Sequence, residues 1–144
     1  MQTYHQASCS GRRNCAQDTM ARKTPDVILL GPEWPERALL RAQLIEGGHD
    51  VMATDAWPIP HMFQPRAARP RALVIDLRGL SNPQQVLDDA RSLLPPGRVL
   101  VVSALGSLRA ADIRQLGFNV IERPTTIREI VATTNSILSR TSSE

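Results

Sequence analysis

A chain of 144 residues with 42% hydrophobic and 22% charged content suits one domain around one core. No apolar run approaches the roughly 18 residues that a bilayer span needs, and the amino-terminal "MQTYHQASCSGRRNCAQDTM" lacks the apolar stretch of a secretory signal, so a cytoplasmic location and no membrane contact are expected. The net charge of +3 rests on sixteen arginines and one lysine, with five aromatics too few to stack bases and no arginine stripe on any helical pattern, so nucleic acid is not an expected partner.

Residues 1–24 are polar and show no hydrophobic periodicity, which predicts a disordered tail. Cys9 and Cys15 both lie there; two thiols at that spacing make neither a metal site nor a disulfide framework. Met20 reads as an alternative start just ahead of the first strand. From residue 25 to 140 the pattern is regular and reads as one domain. "DVILL" (26–30) is a continuous apolar run, as expected of a strand buried on both faces. Residues 36–46 then carry Leu39, Leu40, Leu44 and Ile45 at helical spacing, with Gly47 and Gly48 as a stop. "DVMAT" (50–54) is the second strand. "AWPIPHMFQPRAARP" holds Pro58, Pro60, Pro65 and Pro70, and prolines at that density forbid a long helix, leaving a loop with at most a short helix near 61–64. "ALVID" (72–76) is the third strand. Asn82 and Pro83 predict an N-cap and a first-turn proline for a helix with Val86, Leu87, Ala90, Leu93 and Leu94 on one stripe. "VLVVSA" (99–104) is the fourth strand, Ser107 is the expected cap of a short helix ending at Gly117, and "FNVIE" (118–122) is the fifth strand. Thr126 and Glu129 form a capping box ahead of a last helix whose stripe is Ile127, Ile130, Val131, Thr134, Ile137 and Leu138.

Strands alternating with helices predict a doubly wound α/β fold. A (βα)5 chain of this length fits a five-stranded parallel sheet in the flavodoxin-like order 2-1-3-4-5, with its functional crevice at the carboxyl ends of strands one and three. Asp76 closes strand three and lies at that point. A carboxylate at the end of "LVI" costs several kcal/mol to desolvate unless it is paired. It is either a strand end in water or a group presented at a site.

From about residue 26 to 138 the chain resembles a response-regulator receiver domain of the two-component, chemotaxis type. "LLRAQLIEGGHDV" is similar to the first helix and second strand of that family, "ALVIDLR" to its phosphoacceptor strand, "VLVVSA" to its fourth strand with the terminal hydroxyl residue, and "IERPTTIREI" to the end of its fifth strand. The resemblance implies a stand-alone signalling domain, not an enzyme acting on a separate substrate. Its phosphoacceptor would be Asp76, loaded by a histidine kinase or phosphotransfer protein, with a downstream protein partner or a homodimer as output. It further implies Mg2+ held by Glu33, Asp76 and the backbone carbonyl of Arg78, with Ser103 donating to the phosphoryl group and Arg123 neutralising it. A dication between carboxylate and phosphoryl group is what such chemistry needs, because both are anionic.

The chain departs from the family pattern in five places. The acidic pair after strand one falls on Pro32 and Glu33, so one carboxylate is missing and Mg2+ is expected to be weak or absent. The family lysine is Arg123, a planar fork rather than a compact charge. The interval from Gly117 to Pro124 is one residue short, the aromatic position is Val120, and no proline follows Asp76 closely in "DLRGLSNP". These departures suit a second reading, a pseudo-receiver that keeps the fold as a phosphorylation-independent interaction module. In that case Arg123 is expected to fork onto Asp76 in the place of the metal. On either reading Asp76, Glu33, Ser103 and Arg123 should meet at one edge of the sheet. A nucleotide-binding α/β domain is disfavoured, because no glycine-rich phosphate loop follows strand one and Pro32 removes a backbone donor there.

Each of these residues also has a purely structural reading. On that reading Asp76 caps a loop or pairs with Arg123, Glu33 is a first-turn acid on a helix dipole, and Ser103 bonds backbone. His49 and His61 are surface imidazoles, Asp88 and Asp89 a solvated face, and Trp34 and Trp57 covers of the core edge.

Overall fold

The computed structural model describes residues 24–32, 35–59, 62 and 69–142. The expected tail, except Thr24, lies outside the described residues, as do Glu33, Trp34, His61 and 63–68. Strand β1 spans Val27–Leu30, helix α1 Pro35–Glu46, β2 Val51–Thr54, β3 Ala72–Asp76, α2 Pro83–Leu93, β4 Val99–Val102, α3 Ala110–Gln115, β5 Asn119–Ile121 and α4 Ile127–Ser142. The strands form one parallel five-stranded sheet in the order β2-β1-β3-β4-β5. The expected doubly wound α/β fold is therefore observed.

Strand parity divides the core. Val27, Leu29, Ala72, Val74, Leu100 and Val102 face α1 and α4, where Leu40, Leu44, Ile130, Ile137 and Leu138 close over them. Ile28, Leu30, Leu73, Ile75, Val99 and Val101 face α2 and α3, packing on Val86, Leu87, Ala90 and Ile113. Side chains alternate along a strand, so a strand covered on both faces must be apolar throughout. The continuous runs in the sequence reflect this. Along β3 the parity of Ala72 and Val74 continues to Asp76. Its carboxylate therefore emerges on the side of α1 and α4, at the carboxyl edge of the sheet.

Local signals account for the starts of α2 and α4. Asn82 accepts a hydrogen bond from the Gln85 amide at 3.4 Å, with Pro83 in the first turn. The Glu129 amide donates to Thr126 Oγ1 at 3.1 Å, and the Glu129 carboxylate accepts from the Thr125 hydroxyl. Ser107 does not do what was expected of it. Helix α3 starts at Ala110 with Arg109 at its cap and no side-chain cap bond, so Ser107 sits too early to reach the helix amides. Its amide donates to the Ala104 carbonyl in a turn, and its Oγ is buried without a hydrogen-bond partner. Trp57 packs on the core edge, as expected, and donates Nε1–H to Asp89 at 3.0 Å, giving Asp89 a structural role. His49 lies at the surface, hydrogen-bonded to Asn135.

Candidate functional site

Three segments converge at the carboxyl edge. Strand β3 delivers Asp76. The turn after it, Leu77–Leu80, is closed by the Leu80 amide on the Leu77 carbonyl. Gly79 takes a φ of +76° in that turn, a conformation that strains any side chain. The turn folds Arg78 back: its amide donates to Asp76 Oδ1 at 3.0 Å. Helix α1 delivers Glu36. Glu36, Leu40 and Leu44 recur at intervals of four, so the buried stripe of α1 ends in a carboxylate at the edge of the sheet. Gly31 leaves the room: a Cβ there would stand 3.1 Å from that of Asp76. The residues after β5 deliver Arg123, whose amide donates to Ser103 Oγ at 3.4 Å.

The result is a quartet of two carboxylates and two guanidiniums. Arg78 grips Asp76 with two nitrogens, Nη2 to Oδ2 at 2.7 Å and Nε to Oδ2 at 3.0 Å and Oδ1 at 3.2 Å. The same Nη2 donates to Glu36 Oε2 at 2.9 Å. Arg123 Nη2 donates to Asp76 Oδ2 at 2.9 Å and to Glu36 Oε1 at 3.0 Å, and its Nη1 to Glu36 Oε2 at 3.4 Å. Asp76 and Arg123 are the deeper members, with side chains 15% and 18% exposed; Glu36 is 22% and Arg78 35% exposed. The hydrogen bonds from Asp76 raise the pKa of Arg78 above the ordinary guanidinium value; burial opposes this, and the charges of Asp76 and Glu36 add to it. A raised value means that the folded state holds the proton more tightly. The stability linked to this proton is lost as pH rises above the ordinary arginine range.

Asp76, Ser103 and Arg123 are thus brought to one edge, while Glu33 lies outside the described residues. The expected fork of Arg123 onto Asp76 is corrected. Arg78 makes that fork, and Arg123 forks onto Glu36, because Glu36 stands across from it on α1. Ser103 spends its oxygen on the Arg123 amide. Glu36 and the Arg78 side chain were missed by sequence reasoning. The four-residue spacing of Glu36 to Leu40 and Leu44 was a readable signal; the return of the Arg78 side chain depends on the Gly79 turn.

Mg2+ does not fit the donor set that the described residues present. It demands oxygen ligands and keeps several waters. Both Asp76 oxygens are engaged by cationic donors. The space beside the quartet, bounded by Gly31, Pro32 and Glu36, is about 20 Å³, room for about one water. Among the described residues no group of three or more His, Cys, Asp or Glu side chains converges on a metal position.

No family model and no curated protein sequence matches the chain. Solved structures do. The receiver domain of the Francisella response regulator 1452 is 19% identical at a TM-score of 0.63, covering 82% of this chain and 99% of that one. The fold is that of a response-regulator receiver domain. A response regulator receiver protein from Sinorhizobium medicae is 18% identical with a TM-score of 0.60, covering 80% of this chain and 94% of its own. A chain of adenylate cyclase from Rhodopirellula baltica is 17% identical with a TM-score of 0.65, covering 80% and 87%. In this receiver fold Asp76 ends the central strand, with Ser103 and Arg123 following the next two strands in order. Among the described residues no helix is long and apolar enough to cross a membrane.

Proposed function

We propose that the chain is a signalling module with the receiver fold that works by protein contact, without phosphorylation of Asp76 and without Mg2+. The observation that carries this reading is the pair of guanidiniums on the Asp76 carboxylate. Attack on a phosphoryl group needs a free carboxylate oxygen and a cation bridging it to the phosphoryl oxygens. Here each oxygen is bonded to an arginine, and the two positive charges are already balanced by Asp76 and Glu36. The arginines keep the carboxylate from acting as a nucleophile, and the fold retains its surfaces for a protein partner or a second copy.

The test is incubation of the whole chain with a small acyl phosphate and Mg2+, followed by intact mass measurement. No phosphoryl adduct is expected. An adduct mapped to Asp76 overturns the proposal in favour of a phosphoacceptor fed by a histidine kinase or phosphotransfer protein. The two reverting changes Pro32→Asp and Arg123→Lys address the family pattern, but they leave Arg78 on Asp76. An adduct is therefore not expected from that double variant either.

A further inference from the structure

Two turns at the carboxyl edge are built alike. In the first, the Leu80 amide closes on the Leu77 carbonyl at 3.4 Å; in the second, the Ser107 amide closes on the Ala104 carbonyl at 3.1 Å. The third residue of each is a glycine with positive φ, Gly79 at +76° and Gly106 at +77°. A closed turn of this kind fixes the residue at its second position. That residue is Arg78 in the first turn and Leu105 in the second. Both turns line one open groove of about 620 Å³, with Pro83 and Arg123 also on its walls.

The quartet is neutral as a whole, but not on this side. Arg78 and Arg123 line the groove, while Asp76 and Glu36 do not, and no acidic side chain is among its lining residues. Arg78 spends Nε and Nη2 on the two carboxylates, and its Nη1 has no hydrogen bond among the described residues. Helix α2 starts at Pro83 and adds the positive end of its dipole. Leu105 is 97% exposed. A single exposed leucine is ordinary on a protein surface. This one is held out by a hydrogen-bonded turn, beside a groove that also borders the half-buried Leu80 and Ala104.

We infer that this groove docks a segment of a partner protein in which an Asp or Glu stands near a large apolar side chain. The carboxylate meets Arg78 Nη1, and the apolar side chain covers Leu105. This rests on the protein-contact reading above and deepens it by naming the chemistry of the partner. Charge selects the occupant. Residues 1–23 carry Arg12, Arg13, Arg22 and Lys23 against Asp18 alone, and a second copy brings a net charge of +3. Both are like-charged with the groove, which disfavours their docking. A small carboxylic acid would pair with Arg78 and leave Leu105 in water. A protein segment covers both, placing a desolvated apolar contact beside a charge pair, as protein interfaces do.

The experiment selects from a random peptide library on the immobilised whole chain and follows the strongest binder by fluorescence anisotropy. Selected peptides should carry Asp or Glu near Leu, Ile or Phe. Leu105→Ser should weaken binding about tenfold, the worth of covering one leucine, and it leaves the fold intact because the side chain packs on nothing. Leu39→Ser, at a half-exposed leucine of α1 that does not line the groove, should leave the affinity unchanged. Changing the acidic residue of the peptide to its amide should weaken binding, and high salt should do the same. Arg78→Gln should abolish the preference for acid over amide; if that variant does not fold, the change on the peptide carries the same test. A library that yields no enriched peptide, or only basic or uncharged ones, overturns the inference, as does a Leu105→Ser protein that binds as tightly as wild type. A wild-type dimer in sedimentation equilibrium that Leu105→Ser dissolves overturns it too, since a second copy would then be the occupant. None of these readings uses a phosphodonor, whereas the functional proposal fails by a phosphoryl adduct on the wild-type chain, so the two failures are distinct.

Discussion

Both ends of the sheet carry an aspartate and an arginine, and they use them differently. At the amino edge Asp26 Oδ2 accepts from the Asp50 amide at 2.9 Å, clasping β1 to the start of β2. Arg71 there donates to the Leu138 carbonyl at 2.6 Å, serving α4, and forms an ion pair with Asp26 at 3.9 Å. The charged groups satisfy backbone atoms that the sheet and helix leave over, which any fold must do. At the carboxyl edge, by contrast, Asp76, Glu36, Arg78 and Arg123 are bonded chiefly to one another across three segments. Half-buried ion clusters rarely stabilise more than apolar residues of the same size would. The amino edge is explained by closing the fold. The carboxyl edge exceeds that need and is where a functional reason must lie.

The largest way to break this contrast is through the helix that supports both edges. Ile130 is 1% exposed, faces β3 and lines the floor beside Asp76. Ile130→Ala should cost about 2–5 kcal/mol, from lost transfer and a new cavity, read by urea unfolding followed by circular dichroism. A cost below about 0.5 kcal/mol would show that α4 does not support the carboxyl edge as described. Next comes the direct comparison of the two aspartates. Asp76→Ala leaves two guanidiniums facing Glu36 alone and should cost about 2–3 kcal/mol, below the roughly 3–5 kcal/mol of a fully buried broken pair because the site is partly screened. Asp26→Ala removes one side-chain bond to an amide and should cost about 1 kcal/mol. Equal losses would erase the distinction between the edges.

Much of this was legible in the sequence. The continuous runs 26–30, 72–76 and 99–104 marked strands buried on both faces, and their alternation with helical stripes fitted the order 2-1-3-4-5 that the structure has. The position of Asp76 followed from that order, since β3 neighbours β1 and ends at the crossover. Parity along Ala72, Val74 and Asp76 would also have shown which face the carboxylate takes. The partners were harder. Arg78 is two residues from Asp76, where a strand would send it to the same face; it gets to the carboxylate only because the chain leaves the sheet and Gly79 turns back with positive φ. Glu36 is separated from Asp76 by 40 positions, and only the helical register with Leu40 and Leu44 connects them. Ser107 failed as a cap for a related reason: capping is decided by whether the hydroxyl reaches a first-turn amide, and α3 begins three residues later.

The smallest effect tests whether charge itself, or burial of charge, sets the carboxyl edge apart. Arg114 and Glu122 lie just outside the quartet, on α3 and just after β5, and they too form an ion pair, at 3.4 Å. Their side chains are 51% and 62% exposed, against 18% for Arg123 and 15% for Asp76. Water around such a pair competes for both partners, and ordering two long side chains costs most of what the attraction gains. Glu122→Gln should therefore change stability by less than about 0.5 kcal/mol, and any change should vanish in high salt. In the quartet water has less access, three of the four carboxylate oxygens accept from more than one donor, and loss of one member strands the others. Stability curves of Glu122→Gln and Asp76→Ala at low and high salt read this directly. A Glu122→Gln loss as large as that of Asp76→Ala, with the same salt dependence, would mean that both are ordinary surface electrostatics. A negligible loss beside a salt-resistant one at Asp76 ties the carboxyl edge to the desolvated geometry of Glu36, Asp76, Arg78 and Arg123.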